Sequence, residues 1–152
     1  MIKFFKQFPG FIMREFRIED YDALMSLWRE AELSHKPKGR DSREKLALEI
    51  NMPTSLFLIA EVDGKIIGSV FGTHEGRKGW INRLAVSPDY RGRGIAKKLL
   101  VEIEKIMNLS GIDITACLIE DWNSVSINFF EKMGYIKMTG ITYFSKRKHK
   151  DV

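Results

Sequence analysis

The sequence has very little cysteine, no histidine cluster and no long apolar run. Cys117 is the only cysteine among 152 residues, so an internal disulfide is excluded, and we expect a reducing compartment, the cytoplasm. His35, His74 and His149 lie far apart in the sequence and show no zinc-ligand spacing, so we expect no metal. No segment reaches the roughly 20 apolar residues of a membrane-spanning helix, so we expect no membrane partner.

The composition is typical of a globular domain. The chain is 44% hydrophobic and 30% charged, and its length fits one domain with a substantial core. We expect that domain to span residues 13–147, after an N-terminal extension (1–12) and before a basic tail (148–152). The extension contains Pro9 and Gly10 and is followed by no small-residue cleavage site, so it does not resemble a secretory signal.

The formal net charge of +5 favours an anionic partner without choosing among nucleic acid, a membrane surface and a nucleotide-like cofactor. Part of the excess lies at residues 146–150, and basic tails of this kind are usually solvated. The aromatic signatures of common RNA-binding modules are missing. We therefore do not expect a nucleic-acid partner, although a basic nucleic-acid-binding module is an alternative that steeply salt-dependent binding would reveal.

The hydrophobic pattern predicts an α/β domain built on a mixed sheet, with helices available for both faces. Strands are predicted near residues 13–17, 56–62, 65–74, 80–86, 112–119, 135–138 and 141–145. Helices are predicted after Asp20, after an Asp41–Glu44 capping box, over residues 95–107, and from Asn123 or Ser124 to Met133. Asp63-Gly64 is the preferred sequence of a tight hairpin turn.

The most informative stretch is a glycine-bearing loop between a strand and a helix, Arg91-Gly92-Arg93-Gly94-Ile95-Ala96-Lys97. The unpaired N–H groups and partial positive charge of a helix N-terminus favour phosphate. Gly92 and Gly94 let the backbone approach oxygen atoms, and the basic side chains add charge. A Rossmann loop needs a small residue in place of Lys97, and a Walker A loop needs a wider glycine spacing followed by Lys-Ser or Lys-Thr. Both patterns fail, which leaves another kind of phosphate loop or a structural turn with a basic helix start.

Two motifs carry a resemblance to a known family. The loop matches R/Q-x-x-G-x-G/A and follows a strand ending Leu84-Ala85-Val86-x-Pro88, and it resembles motif A of the GNAT superfamily of acyl-CoA-dependent N-acetyltransferases. Cys117-Leu118-Ile119, then Asn123, then Asn128-Phe129-Phe130-Glu131-Lys132-Met133-Gly134-Tyr135 resembles the family's motif B. The predicted order of elements is also the family's order.

The resemblance implies a GNAT-like mixed, mainly antiparallel sheet of about seven strands, with helices on both faces and a splay between the fourth and fifth strands. Acetyl-CoA is the implied co-substrate. Its pantetheine arm is expected on the strand ending at Val86, its pyrophosphate on the amides of residues 91–97, and Asn123 beside the cofactor or the fifth strand. The implied cofactor-binding residues are Leu84, Ala85, Val86, Arg91, Gly92, Arg93, Gly94, Ile95, Ala96, Lys97 and Asn123.

The sequence departs from the family pattern where acid–base chemistry is expected. Phe130 stands where many relatives carry a tyrosine as general acid, and Asn82 stands where many carry a glutamate. Leu118 occupies the position of the base in some protein-acetylating relatives. The catalytic residues are therefore unknown from the sequence. The candidates that remain are Asn82 as a residue orienting a water, Glu120, Tyr135, Asp121, His74, Glu75, Tyr90 and Tyr143.

We expect an N-acetyltransferase that moves an acetyl group from acetyl-CoA directly to an amine of a small molecule or protein. A covalent route through Cys117 is not expected, because a lone cysteine in an apolar strand usually packs. The residues found at Asn82 and Phe130 motivate an alternative, a non-catalytic CoA-binding sensor or regulator.

The acceptor and the oligomeric state stay open. The region 34–52 normally shapes the acceptor side in this superfamily, and its basic residues favour a carboxylate-bearing acceptor, although a solvated charged loop is the simpler explanation. Dimers are common in the superfamily, and a homodimer here is expected to pair through the last strands.

Overall fold

The computed structural model describes residues 4–152, which form one six-stranded sheet with helices on both faces. The strands are β1 (Phe5–Phe8), β2 (Phe11–Glu15), β3 (Ser55–Val62), β4 (Lys65–His74), β5 (Lys78–Val86) and β6 (Ile114–Ala116). The helices are α1 (Tyr21–Glu30), α2 (Arg43–Glu49), α3 (Ile95–Leu109) and α4 (Ser124–Lys132). The strands lie side by side in chain order, antiparallel from β1 to β5, with β5 and β6 parallel. Within this described part, no helix is long and apolar enough to cross a membrane.

Two apolar cores lie on the two faces of the sheet. Successive residues of a strand point to opposite faces, and in β3 Leu58 joins the core under α3 while Ile59 joins the core under α1 and α2. Leu99 and Ile103 of α3 are fully buried in the first core. Trp28 of α1 is fully buried in the second. The sheet is therefore covered on both faces, as the pattern predicts.

The sequence predicts the central hairpin and both later helices closely. Asp63 and Gly64 both adopt positive φ, at 47° and 80°, as a type I′ turn requires. The apolar stripe of α3 is buried against the sheet. Asn123 caps α4, since its side-chain oxygen accepts a hydrogen bond from the Ser126 N–H at 3.2 Å.

The segment 1–12, treated as an extension above, contributes structure in its described part. Phe5–Phe8 pairs with Phe11–Glu15 as a hairpin, and Gly10 has the positive φ (85°) that the turn needs. Phe8 and Phe11 stack at a ring-centroid distance of 4.9 Å. Residues 1–3 lie outside the described residues.

The second helix begins differently from the prediction. The Asp41–Glu44 capping box does not form, because the Asp41 carboxylate is taken by Arg83. Ser42 caps α2 instead, its hydroxyl accepting from the Lys45 N–H at 3.4 Å.

The end of the chain departs most from the prediction. Residues 112–119 yield only the three-residue strand β6, and residues 135–138 and 141–145 form no strand in the described chain. The sheet therefore has six strands rather than about seven. A strand exists only where a neighbour satisfies its backbone groups, and these segments have no such neighbour within residues 4–152.

Candidate active site

The sheet opens into a gap between β5 and β6. The two strands pair only where Lys78–Trp80 faces Ile114–Ala116. β6 then ends, while β5 continues to Val86, so residues 81–86 have no neighbouring described strand on that side. The resemblance implies a splay between the family's fourth and fifth strands. In this chain that splay is confirmed and lies between β5 and β6. Open N–H and C=O groups along a strand can bind an extended ligand as if it were another strand.

A bulge bends β5 beside this gap. Ser69 of β4 faces Ala85, and Phe71 faces Asn82, so Arg83 and Leu84 together oppose a single residue. Arg83 adopts a left-handed φ of 55°, which costs roughly 1–2 kcal/mol for a residue with a Cβ. A bulge of this kind re-aims the strand.

Two hydrogen bonds through the buried Ser69 hydroxyl hold the bulge. The Ser69 hydroxyl donates to the Arg83 carbonyl at 2.8 Å. The Ser69 hydroxyl oxygen also accepts a hydrogen bond from the Trp28 indole N–H at 3.0 Å. Ser69 and Trp28 are both fully buried, so the left-handed backbone is fixed from the α1 face of the sheet.

The Arg83 side chain attaches the α1–α2 loop (residues 31–42) to this bulge. Its Nη2 lies 2.7 Å from both carboxylate oxygens of Asp41, and its Nη1 donates to the Ser34 carbonyl at 2.7 Å. The Lys36 N–H donates to Asp41 Oδ2 at 2.6 Å, and the guanidinium lies 5.1 Å from the Trp28 ring centroid. Local pattern could not reveal this network, because its partners are 42 residues apart.

Glu49, at the end of α2, is a second residue that sequence reasoning missed. Its side chain is half-buried, and burial raises the pKa of this carboxyl group. The charge of Asp41 raises the pKa further, while Arg83 lowers it. Glu49 makes no ion pair within residues 4–152. A half-buried, unpaired carboxyl group therefore lies on the side of the β5 bulge that the α1–α2 loop covers.

The loop after β5 has the geometry of an anion cradle. Gly92 and Gly94 have φ of 75° and 76°, and a Cβ at either position would meet open space. Gly94 is the N-cap of α3 and supplies no side-chain cap. The first-turn N–H groups of a helix have no intrahelical acceptors, so those of α3 are free for an anion.

The basic side chains of the loop stabilise its shape. Arg91 Nε donates to the Val86 carbonyl at 3.2 Å. Arg93 donates to the Asp89 carbonyl at 3.2 Å and stacks on the Tyr90 ring at 4.9 Å. Both arginines are exposed, so these contacts leave positive charge at the surface around the free amides.

The candidate acid–base residues are not brought together. Asn82 on β5 and Glu120 after β6 are exposed. The Tyr135 hydroxyl donates to Glu104 Oε1 at 2.6 Å and lies 3.0 Å from the Thr115 hydroxyl. Burial raises the Tyr135 pKa far above its usual value, and the hydrogen bond to Glu104 adds to the effect. Its proton is therefore tightly held.

The remaining motif residues have packing or capping contacts. Phe130 is buried and packs edge-on against Phe129 and Tyr135, at 5.3 and 4.9 Å. Asn123 uses its side-chain oxygen as the cap of α4. Burial raises the pKa of the Cys117 thiol to about 11, so the nucleophilic thiolate is scarce at neutral pH. No group of three or more potential metal ligands occurs in residues 4–152.

Comparison with known proteins decides the family. The sequence profile of the acetyltransferase (GNAT) family matches residues 21–135. The chain belongs to this family. An acetyltransferase from Pectobacterium atrosepticum is 35% identical over 130 residues, covering 86% of this chain and 91% of that protein.

Solved GNAT structures share the fold. The PaiA N-acetyltransferase of Thermoplasma acidophilum, solved with coenzyme A, superposes with a TM-score of 0.72 at 30% identity, covering 81% of this chain and 87% of its own. AAC(6′)-Iy in complex with a bisubstrate analogue superposes with a TM-score of 0.74 at 18% identity, covering 90% and 98%; this likeness shows the fold alone. The protein is an acetyl-CoA-dependent N-acetyltransferase of the GNAT family.

Proposed function

We propose that this GNAT protein transfers the acetyl group of acetyl-CoA directly to the primary amine of a cationic small molecule or protein segment. The observation that carries the proposal is the continuity of one stretch, residues 81–97. It supplies first the open edge of β5, then the free amides at the start of α3. An extended pantetheine arm ending in a pyrophosphate requires these two features in this order.

The cofactor contacts follow from that geometry. The backbone groups of Leu84, Ala85 and Val86 face the pantetheine arm, and the amides of residues 91–97 hold the pyrophosphate, with Arg91 and Arg93 supplying charge. Asn123 contributes indirectly, by capping α4 next to the gap. These assignments keep the cofactor-binding set expected from the sequence.

The reaction needs an amine that has lost its proton. A lysine-like amine has a pKa of about 10.4, so a base must accept its proton, directly or through water. We assign this role to Glu49, whose carboxyl group is half-buried, unpaired among the described side chains and close to the bulge. The amine nitrogen then attacks the thioester carbon, and backbone N–H groups of the bulged strand stabilise the oxyanion.

The leaving thiolate takes its proton from solvent in this proposal. The C–S bond breaks as the tetrahedral intermediate collapses, and a thiol pKa of about 8.5 makes the thiolate a tolerable leaving group. Phe130 has no hydroxyl to donate, and the proton of Tyr135 is held by Glu104. No protein nucleophile is needed, which agrees with the protonated state of Cys117.

The charges around the α1–α2 loop support a cationic acceptor. Arg43 is paired with Asp22 at 3.0 Å, and Arg40 lies 3.7 Å from Asp41. The basic excess that favoured a carboxylate-bearing acceptor is thus partly neutralised within the chain. Glu49 keeps an unpaired negative charge on the same side, which attracts an ammonium group.

The test separates cofactor binding from turnover. Calorimetry with CoA should show binding, and thiol release from acetyl-CoA should appear with amines that carry a second positive charge. A matched panel of amines carrying a carboxylate should be slower. Absence of CoA binding would contradict the proposal.

A CoA-binding protein without catalytic activity is a second candidate function with its own structural support. The exposed Asn82 and the buried Phe130 leave the usual acid and base positions without titratable groups. CoA binding without turnover on any amine would favour a CoA-binding sensor or regulator.

A further inference from the structure

The gap between β5 and β6 has an open end and a closed end. At the closed end, the last backbone pair joins Trp80 to Ala116. From there, residues 81–86 of β5 run without a described neighbour on that side to the loop before α3. This open edge is about 20 Å long, at roughly 3.3 Å per residue. A ligand that places an anionic group at the start of α3 and extends along β5 therefore points its other end at the Trp80–Ala116 pair.

One tyrosine hydroxyl holds the β6 side of the closed end. The Tyr135 hydroxyl donates to Glu104 Oε1 of α3 at 2.6 Å and lies 3.0 Å from the Thr115 hydroxyl. Since a phenol has one proton and this one goes to the carboxylate, the Thr115 hydroxyl donates to the phenol oxygen. Thr115 is the middle residue of β6, where its backbone pairs with Gly79. The hydroxyl chain Thr115–Tyr135–Glu104 therefore ties β6 to α3.

Close packing holds the β5 side of the closed end against the same helix. A Cβ on Gly79 would lie 2.6 Å from the sulfur of Met107, so α3 lies directly on the backbone of β5 there. Met107 is buried in the core under α3. Both strands of the closed end are thus fixed to α3, β5 through Met107 and β6 through the hydroxyl chain. Interiors packed at this density do not open without a cost in free energy.

The ring of Tyr135 adds packing to this tie. It contacts the buried Phe130 of α4 edge-on, at a centroid distance of 4.9 Å. Burial and the hydrogen bond to Glu104 raise the pKa of Tyr135 far above its usual value, so the phenol keeps its proton at neutral pH. The mechanism proposed above gives this buried group no part in proton transfer, and its contacts are all with the elements that close the gap.

We propose that the hydroxyl chain Thr115–Tyr135–Glu104 limits the length of the acyl group that the cofactor can carry. This inference rests on the proposed placement of the pantetheine arm along β5, which directs the thioester toward the closed end. Paired strands lie about 4.8 Å apart and leave no room between them for a hydrocarbon chain. An acetyl group stops short of the pair, whereas a longer acyl chain would have to separate β6 from β5. Thr115 and Tyr135 are positioning residues that select acetyl-CoA by keeping these strands together.

The test compares the Kd values of CoA, acetyl-CoA and butyryl-CoA, measured by calorimetry on the full chain, and it needs no acceptor amine. The wild type should bind acetyl-CoA about tenfold or more tightly than butyryl-CoA, the scale on which apolar pockets discriminate by methylene groups. Thr115→Val removes the hydroxyl and keeps a β-branched side chain, and it should bring the two Kd values to within about twofold of each other. Thr115→Ser keeps a hydroxyl and should retain the wild-type preference.

A second variant reaches the same tie from the other side. Tyr135→Phe keeps the ring against Phe130 but removes the acceptor of the Thr115 hydroxyl, so it should lose the preference to the same extent. Combining Thr115→Val with Tyr135→Phe should cause no further loss, because both changes break one chain of hydrogen bonds. The Kd of CoA itself should be the same in every variant, since the start of α3 lies at the other end of the gap.

The control is Thr139→Val, which makes the same change at an exposed threonine after α4 and should leave the preference intact. Thermal denaturation of each variant measures stability separately. A lower Tm in Thr115→Val with the wild-type preference unchanged would reduce the hydroxyl chain to a structural role and overturn the proposal. Equal affinity of the wild type for acetyl-CoA and butyryl-CoA would overturn it as well, while leaving the proposed function standing. Failure of CoA itself to bind would remove both.

Discussion

Arg83 and Asp41 form an ion pair in which one guanidinium nitrogen lies 2.7 Å from both carboxylate oxygens. The pair connects the left-handed bulge of β5 to the α1–α2 loop, which covers the proposed acceptor side. The Asp41 side chain is 6% exposed and the Arg83 side chain 17%. Removing one partner of such a pair leaves an uncompensated buried charge, so the pair resists opening.

Arg83→Ala is expected to reduce the free energy of unfolding by about 3–5 kcal/mol. The milder Arg83→Lys keeps the charge but loses the forked contact to Asp41 and Ser34. It should raise the KM for the amine while leaving the KM for acetyl-CoA unchanged. Denaturant titration and steady-state kinetics measure the two effects.

Arg43→Ala serves as the matched control for Arg83→Ala. Arg43 pairs with Asp22 in an exposed setting, where ion pairs contribute about 0–1 kcal/mol. Similar losses in Arg43→Ala and Arg83→Ala would contradict a special role for the Arg83–Asp41 pair.

Gly94→Ala is expected to weaken CoA binding about tenfold or more, since one misplaced charge-assisted hydrogen bond is worth roughly 1.5–3 kcal/mol. Gly111→Ala is the control at the other end of α3. Both glycines have positive φ (76° and 82°) with open space at the Cβ position. Both variants should therefore lose about 1–2 kcal/mol of stability from the strained backbone.

Only Gly94→Ala should change the Kd for CoA, which calorimetry measures. An equal effect of Gly111→Ala on CoA affinity would show that strain in α3, rather than the loop amides, governs binding.

Glu49→Gln is expected to lower kcat by about 10²–10⁴, the usual contribution of a general base. In the wild type, kcat/KM should fall at low pH as Glu49 is protonated, and this inflection should disappear in the variant. Glu44→Gln, on the exposed face of the same helix, is the control and should leave turnover unchanged.

The same substitution should stabilise the fold at high pH, although it lowers turnover. Burial raises the folded-state pKa of Glu49, so its favourable contribution is full below the unfolded pKa of about 4.3 and is lost as the pH rises through the folded pKa. Glu49→Gln should therefore have a higher Tm than the wild type at pH 8 and an equal Tm near pH 3. Unchanged turnover in Glu49→Gln would exclude it as the base.

Tyr135→Phe is expected to leave kcat nearly unchanged, because the proton of Tyr135 is held by Glu104. The variant should lose about 1–2 kcal/mol of stability, since a half-buried carboxylate loses its hydrogen bond. Tyr143→Phe, which changes an exposed tyrosine after α4, is the control and should lose little. A hundredfold fall in kcat for Tyr135→Phe would instead identify it as the acid.

Much of the fold was predictable because the signals are local. The Asp63-Gly64 turn, the stripe of α3 and the Asn123 cap depend on residues within a few positions of one another. The glycine loop at the start of α3 was predictable for the same reason, since its glycines and the helix that follows are contiguous; its binding of phosphate stays a prediction. The Ser42 cap was missed because Asp41 has a better partner in Arg83, which no local pattern contains.

The sequence by itself determined the layered α/β fold, the family and the glycine loop at the start of α3, because hydrophobic period and turn residues act over short distances. Only the tertiary structure decided the environment of Glu49 and the contacts of Arg83, since burial and ion pairing depend on distant segments meeting. The C-terminal segment 136–150 shows the same limit. Its residues favour strands, but a strand forms only where a neighbouring strand satisfies its backbone.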